Sequence, residues 1–211
     1  MRVGILGGTF DPIHVGHVAA ASAALECANL DRVLFVPSAQ PPHRAAALAP
    51  ATDRLEMCRL AIAGEPRFEV SDVEIRRGGR SYTVDTLQEL TRLRPGDDLF
   101  LILGWDAAKL LRTWRDPEKV IEVASIVIIS RPGTQAPQPQ NEQPGETRMK
   151  FVEAGLAEGR YVYCGDSTTP DVSGSDVRRA IARGETAAGK VPAQVERYIA
   201  AHHLYTEGPA G

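Results

Sequence analysis

Short apolar runs recur along the chain and alternate with longer stretches that have helical spacing or are rich in alanine. Several runs are continuously apolar, such as VLFV and LFLIL, which is typical of strands buried on both faces of a parallel sheet. The predicted strands cover residues 2–6, 32–36, 99–103, 125–129 and 161–164, and one or two more lie within 68–75.

The stretches between these strands predict helices. Thr52 is a candidate N-cap of one helix, and Ser81 or Thr83 of another. Pro192 stands where a proline suits a first helical turn. The predicted helices cover residues 14–28, 52–63, from Ser81 or Thr83 to 92, 107–112, 176–182 and 193–201.

Strands and helices alternate along almost the whole chain. This order is typical of an α/β fold, a doubly wound parallel sheet, here with a small helical part at the C-terminus. The 211 residues suit a single domain, predicted over 1–205 with a tail at 206–211. Residues 134–150 are rich in Gln and Pro without a hydrophobic period, and we expect a mobile loop there.

Loops that follow the strands of a parallel sheet meet at one edge, where such folds bind their ligands. The segments 7–17, 37–44, 104–106 and 165–178 each follow a predicted strand. We therefore expect these four segments to gather and to carry the binding residues.

Composition narrows the class of protein. A net charge of -3 argues against a broad nucleic-acid-binding surface, which is normally basic. Cys27, Cys58 and Cys164 lack metal-ligand spacing, and we expect all three to be buried thiols in a reducing cytoplasm. No apolar stretch approaches the roughly 20 residues of a membrane span, so the sequence predicts a cytoplasmic protein without a membrane partner. We also predict no metal site built from the protein's own side chains.

The segment after the first strand reads GGTFDPIHVGH. Gly7 and Gly8 let the backbone approach a ligand closely, and their N–H groups with that of Thr9 can point at phosphate oxygens. His14 and His17 are three residues apart, so at a helix start they face the same way and can donate to one anion. Either histidine alone would more often be a surface or core residue, but the combination predicts a phosphate site.

Known phosphate motifs do not account for this segment, since both G-x-G-x-x-G and G-K-[ST] are absent. It resembles instead the signature of the nucleotidylyltransferase superfamily, and in its longer form that of the bacterial nicotinate-nucleotide adenylyltransferases. The resemblance implies that His14 and His17 bind the ATP phosphates and the transition state. The other implied contacts to ATP come from Gly7, Gly8, Thr9 and Phe10, with Thr9 also touching the acceptor.

Two later segments resemble further phosphate-binding motifs of that superfamily. VSGSDVR at 172–178 matches a motif at a helix start, with Gly174 where a serine is usual. The resemblance assigns Ser173, Ser175 and the catalytic Arg178 to ATP, and an arginine one turn into a helix can bind a phosphate in a bidentate manner. PPHR resembles the P-P-H-K loop and adds Arg44 to the ATP-binding residues.

The acceptor is indicated by the run SYTVDTL, which resembles the nicotinate-nucleotide branch. A helix N-terminus favours an anion, as the pyridine carboxylate would be. By the resemblance, Asp106 of the G-W-D run helps hold the ribose, and Trp114 of the T-W run stacks on the pyridine ring. Trp105 stands where an alanine is commoner. The implied acceptor-binding residues are Thr9, Tyr82, Thr83, Asp85, Thr86, Gly104, Asp106 and Trp114.

The resemblance therefore implies an ATP-dependent nucleotidyltransferase of NAD biosynthesis with a Rossmann-like fold. It would transfer AMP from ATP to nicotinate mononucleotide and release pyrophosphate, with Mg²⁺ bound through the substrate phosphates. The alternatives are an adenylyltransferase acting on phosphopantetheine or nicotinamide mononucleotide, and a nucleotide-binding module without catalysis. The sequence leaves open whether the protein forms a homo-oligomer.

Overall fold

The structure is a computed structural model that describes residues 1–41, 47–130, 159–166 and 169–206. Arg44, the predicted mobile loop at 134–150 and the tail beyond Thr206 lie outside the described residues. The side chain of Asp166 is likewise not described.

In the described part of the chain, six strands, numbered β1 to β6 in chain order, form one parallel sheet with the spatial order β3-β2-β1-β4-β5-β6. This order reverses at β1, and doubly wound sheets bind ligands beyond the carboxyl ends of strands at such a reversal. The predicted α/β fold class is therefore confirmed. The strands are β1 Arg2–Gly8, β2 Arg32–Pro37, β3 Phe68–Val70, β4 Asp98–Gly104, β5 Ala124–Ser130 and β6 Tyr161–Asp166.

The continuous apolar runs form the middle of the sheet because both faces of these strands are covered. Every residue of β5 is buried, and so is the run from Leu99 to Leu103 in β4. Leu101 pairs with Ile5 of β1 on one side and with Ile126 of β5 on the other. This explains why the strands lack the alternation of a half-exposed sheet.

Eight α-helices and one 3₁₀ turn lie in the described part of the chain. The last two of them make up the predicted C-terminal helical part. The helices are α1 Val15–Cys27, α2 Ala51–Ile62, α3 Val73–Arg77, α4 Thr83–Leu93, α5 Trp105–Lys109, α6 Pro117–Val123, α7 Gly174–Ala182 and α8 Ala193–Ala201, and the 3₁₀ turn is Leu111–Thr113.

The chain divides into two compact units. One unit comprises residues 1–6, 20–34 and 82–169, and the other comprises 7–19, 35–81 and 170–211. We call the second unit the signature unit because it contains the GGTFDPIHVGH segment. The predicted single domain over 1–205 stays a prediction.

Local structure differs from the sequence prediction at three places. Residues 73–77 are helical rather than extended, and an Asp72–Arg76 bond of 2.8 Å spans one turn of this helix. The helix α6, Pro117–Val123, was not predicted, although it begins with a proline at its first turn. The predicted helix at 107–112 is split into α5 and the 3₁₀ turn.

The predicted side-chain caps are also wrong. Pro50 precedes α2 and Tyr82 precedes α4, and neither helix has a side-chain cap at its N-terminus. The Ser81 hydroxyl accepts a hydrogen bond from the Ala39 N–H at 2.9 Å instead. A tertiary partner therefore takes the hydroxyl that the local pattern assigned to the helix.

The prediction of three buried thiols is wrong for two cysteines. Cys27, at the end of α1, is exposed and forms a disulfide with Cys164 of β6, with 5.7 Å between their Cα atoms. Their separation of 137 residues gave no signal in the sequence. Only Cys58 is a free cysteine in the described part of the chain, and it is fully buried in α2.

Alkylation should separate the three cysteines. Without a reductant, the folded protein is expected to take up no iodoacetamide, because Cys27 and Cys164 are joined and burial raises the pKa of the Cys58 thiol. After reduction, exposed Cys27 should react first and Cys58 only on unfolding. Intact-protein and peptide mass spectrometry count the adducts, and rapid labelling of Cys58 in the native protein would contradict its placement.

Among the described residues, no helix combines the length and the apolar character needed to cross a membrane.

Candidate active site

Residues 7–17 (GGTFDPIHVGH), which we call the signature segment, turn sharply between β1 and α1. Phe10 has a φ of 49°, a left-handed conformation that residues with a side chain rarely adopt. A Cβ atom at Gly8 would lie 3.1 Å from the Phe10 ring, so the glycine allows this tight packing. The backbone N–H of Ser38 donates to the Gly8 carbonyl at 2.9 Å and fixes the end of β1 against the loop after β2.

The two predicted histidines are brought together at the start of α1. Their rings stack with centroids 3.6 Å apart and planes 26° apart. The backbone N–H of His14 donates to Nδ1 of His17 at 3.2 Å. Because that nitrogen accepts, a neutral His17 carries its proton on Nε2, the atom that can donate to a phosphate oxygen.

Phe10 supports this histidine pair from the core. Its side chain is buried, meets the His17 ring edge-on at 5.0 Å and packs on Phe35 at 6.0 Å. The ring therefore restrains His17, and Phe10 can contact a nucleotide only through its backbone.

The N-terminus of α7 lies against the same segment. Arg178 donates from Nη1 to the Asp11 carbonyl at 2.6 Å and from Nη2 to the Ser175 hydroxyl at 3.3 Å. Ser173 caps the helix by accepting from the Asp176 N–H at 3.1 Å. Of the predicted loops, the described parts of 7–17, 37–44 and 165–178 within the signature unit are thus brought together.

Gly174, which departs from the superfamily pattern, has a packing explanation. A Cβ atom there would lie 3.2 Å from the Asp11 carbonyl oxygen and 3.3 Å from Nη1 of Arg178. In this chain the glycine leaves room for the hydrogen bond between those two groups.

Arg54, in α2, is a site residue that the sequence analysis missed. It is 1% exposed, and its guanidinium donates to the carbonyls of Thr9 at 2.6 Å, Ala49 at 3.2 Å and Ala39 at 3.3 Å. Burial lowers the pKa of this guanidinium, and the nearby Asp11 carboxylate opposes that shift. Its helical spacing with buried Met57, Cys58 and Ile62 is a signal that could have identified Arg54 as inward-facing.

Asp11 is a second residue of this region that the sequence analysis did not include among the binding residues. Its buried carboxylate accepts from the N–H groups of Leu48 at 2.8 Å and Ala49 at 3.0 Å, and from the Tyr205 hydroxyl at 2.7 Å. The signature loop is therefore held by side chains from α2 and from the C-terminal segment, which are distant in sequence. Such an arrangement restrains the loop that carries His17 and that accepts the hydrogen bond from Arg178.

The predicted acceptor residues, apart from Thr9, belong to the other unit. Tyr82 and Thr83 begin α4, and the guanidinium of Arg115 lies over the Tyr82 ring at 4.7 Å and 3.5 Å from the Asp85 carboxylate. Thr86 is buried and its hydroxyl donates to the Tyr82 carbonyl at 3.3 Å. The helix start thus offers backbone N–H groups flanked by an aromatic ring and a cation.

The remaining acceptor residues lie at α5 and just after the 3₁₀ turn. Gly104 precedes α5, and the exposed Asp106 side chain forms an ion pair with Lys109 at 3.1 Å. Trp114 follows the 3₁₀ turn and is half-buried. Trp105, the departure from the family pattern, is buried in the core.

Within the residues that the structure describes, no group of three or more His, Cys, Asp or Glu side chains could hold a metal ion. The donors near the signature segment are histidine and arginine, which suit anionic oxygens.

The chain matches the family model described as cytidylyltransferase-like over residues 5–180. It is 45% identical over 206 residues to a Thermus thermophilus protein named a probable nicotinate-nucleotide adenylyltransferase, covering 97% of this chain and 100% of the relative. A protein of the same name from Citrifermentans bemidjiense is 40% identical, covering 98% of this chain and 99% of the relative. The family and enzyme class predicted from the motifs are confirmed.

Among solved structures, the fold is similar to that of Plasmodium falciparum nicotinic acid mononucleotide adenylyltransferase in complex with NaAD. The TM-score is 0.77 at 16% identity, covering 99% of each chain. A second structure of the same enzyme, in complex with APC, gives a TM-score of 0.74. At this identity the likeness supports the fold, and the sequence relatives carry the family assignment. The chain belongs to the nicotinate-nucleotide adenylyltransferases, nucleotidyltransferases of NAD biosynthesis.

Proposed function

We propose that this chain transfers AMP from ATP to nicotinate mononucleotide, with the signature segment and the start of α7 as its triphosphate site. The observation that carries this proposal is the His14–His17 pair. Nδ1 of His17 accepts the backbone N–H of His14, so a neutral His17 carries its proton on Nε2. Arg178 is tied to the same loop through the Asp11 carbonyl. This arrangement supports a triphosphate site that contains one cation, Arg178, and one donor, His17.

The chemistry needs no general base. The acceptor phosphate is ionised near neutral pH, and it attacks the α-phosphorus of ATP in line while pyrophosphate leaves. Catalysis then consists of positioning and of stabilising negative charge on the transferring group. The catalytic residues in this proposal are His14, His17 and Arg178.

The other ATP contacts follow from the positions of the loops. Backbone groups of Gly7, Gly8, Thr9 and Phe10 line the turn after β1, and Ser173 and Ser175 flank the start of α7. Arg44 contributes a further cation to the triphosphate. The described residues Leu48 and Ala49, which follow Arg44 closely in sequence, are anchored on Asp11, and this supports the assignment of Arg44.

For the acceptor, we assign the pyridine carboxylate to the backbone N–H groups at the start of α4, between Tyr82 and Thr86. The first N–H groups of a helix lack intrahelical partners and favour an anion. Asp106 holds the ribose and Trp114 stacks on the pyridine ring. Nicotinamide mononucleotide, which carries a neutral amide, gains less from such a helix start.

Mg²⁺ is proposed to bind through the phosphates of ATP and through water. The carboxylate of the signature segment, Asp11, already accepts hydrogen bonds from Leu48, Ala49 and Tyr205, so in this proposal the substrate supplies the oxygen ligands that this ion prefers. The ion would neutralise charge on the leaving pyrophosphate. We further propose a cytoplasmic protein that acts on nucleotides without nucleic-acid or membrane partners, and a homo-oligomer remains compatible with the fold.

Pyrophosphate release tests the proposal. The protein is incubated with ATP, Mg²⁺ and, in parallel, nicotinate mononucleotide, nicotinamide mononucleotide or phosphopantetheine, and a sample with EDTA is the control. Fast release is expected only in the sample that contains ATP, nicotinate mononucleotide and Mg²⁺. Release with another acceptor would replace the acceptor assignment, and ATP binding without any release would favour a binding module.

A further inference from the structure

A tyrosine from the end of the chain reaches the signature loop. Tyr205 lies four residues beyond α8, is 8% exposed, and donates from its hydroxyl to Oδ1 of Asp11 at 2.7 Å. The two residues are 194 positions apart in the sequence. This buried bond connects the C-terminal segment directly to the loop that carries the catalytic histidines.

The backbone of this segment is held in an unfavourable conformation. Tyr205 has a φ of 62° and His203 a φ of 53°, both in the left-handed region that favours glycine. Such conformations are strained for residues with a side chain and persist where the surroundings determine them. Burial of the Tyr205 ring and its bond to Asp11 help to hold the turn in place, together with backbone bonds from His203 to Ala200 and from Leu204 to Ile199.

Asp11 passes this restraint on to groups that face the triphosphate. Its carbonyl accepts from Nη1 of Arg178 at 2.6 Å, and its Oδ2 lies 3.9 Å from the same nitrogen. The same carboxylate accepts the N–H groups of Leu48 and Ala49. A rotation of the Asp11 side chain would therefore disturb Arg178 as well as the backbone at Leu48 and Ala49.

We propose that Tyr205 is a positioning residue for adenylyl transfer, which acts through Asp11 to hold Arg178 in its working orientation. This inference rests on the proposed role of Arg178 and names a residue outside the signature motifs. Removal of the hydroxyl leaves Asp11 with two backbone donors and without the one that fixes its Oδ1 from the C-terminal side. Arg178 then samples orientations that do not meet the transition state.

The chain supplies a matched control for a purely structural tyrosine. Tyr198, in α8, donates from its hydroxyl to Oδ1 of Asp53 at 2.8 Å, a bond of the same type and nearly the same length. Asp53 lies in the first turn of α2 and takes no part in the proposed site. Tyr198→Phe therefore removes the same chemical group from the same end of the chain without touching Asp11.

The test compares steady-state kinetics of Tyr205→Phe and Tyr198→Phe with the unchanged protein. Tyr205→Phe is expected to lower kcat by about 10-fold or more with a smaller change in KM for ATP, since misorientation of a transition-state group acts mainly on turnover. Tyr198→Phe should keep kcat within about 2-fold, whatever stability it loses. Urea unfolding of both variants measures that stability, and kinetics are recorded well below the unfolding transition.

A double-mutant cycle decides whether Tyr205 acts through Arg178. In an Arg178→Ala background, Tyr205→Phe should lower kcat no further, because its target is already absent. Independent, multiplicative effects would overturn the proposal, as would a kcat of Tyr205→Phe equal to that of Tyr198→Phe. If Tyr205→Phe does not fold, Asp11→Asn must show the loss of kcat, and an unaltered kcat there would also overturn it. Absence of pyrophosphate release from the unchanged protein would instead contradict the proposed function.

Discussion

Replacing His17 with alanine is expected to lower kcat by about 100-fold or more, as removal of one preorganised donor to a transition-state oxyanion does. The structure makes this residue hard to replace. Its Nδ1 is committed to the His14 N–H, and its ring is fixed by stacking on His14 and by the edge contact with Phe10. A donor held in this way meets the developing charge without reorganisation at the moment of reaction.

The measurement is the rate of pyrophosphate release at saturating ATP and nicotinate mononucleotide. His202→Ala is a matched control, because His202 also stacks on an aromatic ring, that of Tyr198 at 4.0 Å, but lies outside the signature segment. His17→Gln retains an N–H donor near the position of Nε2 and should recover part of the loss. A folded His17→Ala protein with near-normal turnover would contradict the assignment.

The largest loss of stability is expected for Arg54→Met. The substitution removes a buried cation that donates to three backbone carbonyls, on Thr9, Ala39 and Ala49, and leaves these acceptors without their charged donor. It also removes a positive charge near the buried Asp11 carboxylate. Breaking a buried charged network in this way costs about 3–5 kcal/mol in the free energy of unfolding.

Equilibrium unfolding in urea measures this change. Arg59→Met on the same helix is the control, because Arg59 is exposed and forms a surface ion pair with Glu56, so its loss should cost less than about 0.5 kcal/mol. Equal stabilities of the two variants would show that Arg54 does not hold the loops. Nucleotide binding by Arg54→Met, measured below its unfolding transition, should weaken because Thr9 loses its anchor.

The sheet was predictable because its strands are buried on both faces. Continuous apolar runs such as those in β4 and β5 have few alternatives to a central parallel strand. The short helix α3 was not predictable in this way, since it begins within residues 68–75, which alternate in a way that also suits a strand. Its helical form is decided by the burial of Val73 and Glu74 and by the Asp72–Arg76 pair, which are tertiary and local contacts together.

The motif residues were identifiable because the groups expected to bind the ligand stand close together in sequence. Glycines after a strand, histidines three apart and an arginine one turn into a helix are each recognisable without a fold. The supporting residues Asp11, Arg54 and Tyr205 are not of this kind. Each acts on a partner far away in sequence. Asp11 lies within the signature segment, but nothing local indicates that its carboxylate meets Tyr205, and a tyrosine near the end of a chain has no local pattern to mark it.

By itself, the order of residues determined the family, the parallel sheet and the groups that can meet a phosphate. Only the tertiary structure decided which polar side chains hold those groups, and that Cys27 and Cys164 are joined rather than separately buried. The reason is physical. Backbone conformation and hydrophobic period are properties of neighbouring residues, whereas a buried arginine, aspartate or cysteine is satisfied only by whichever distant group the fold places beside it.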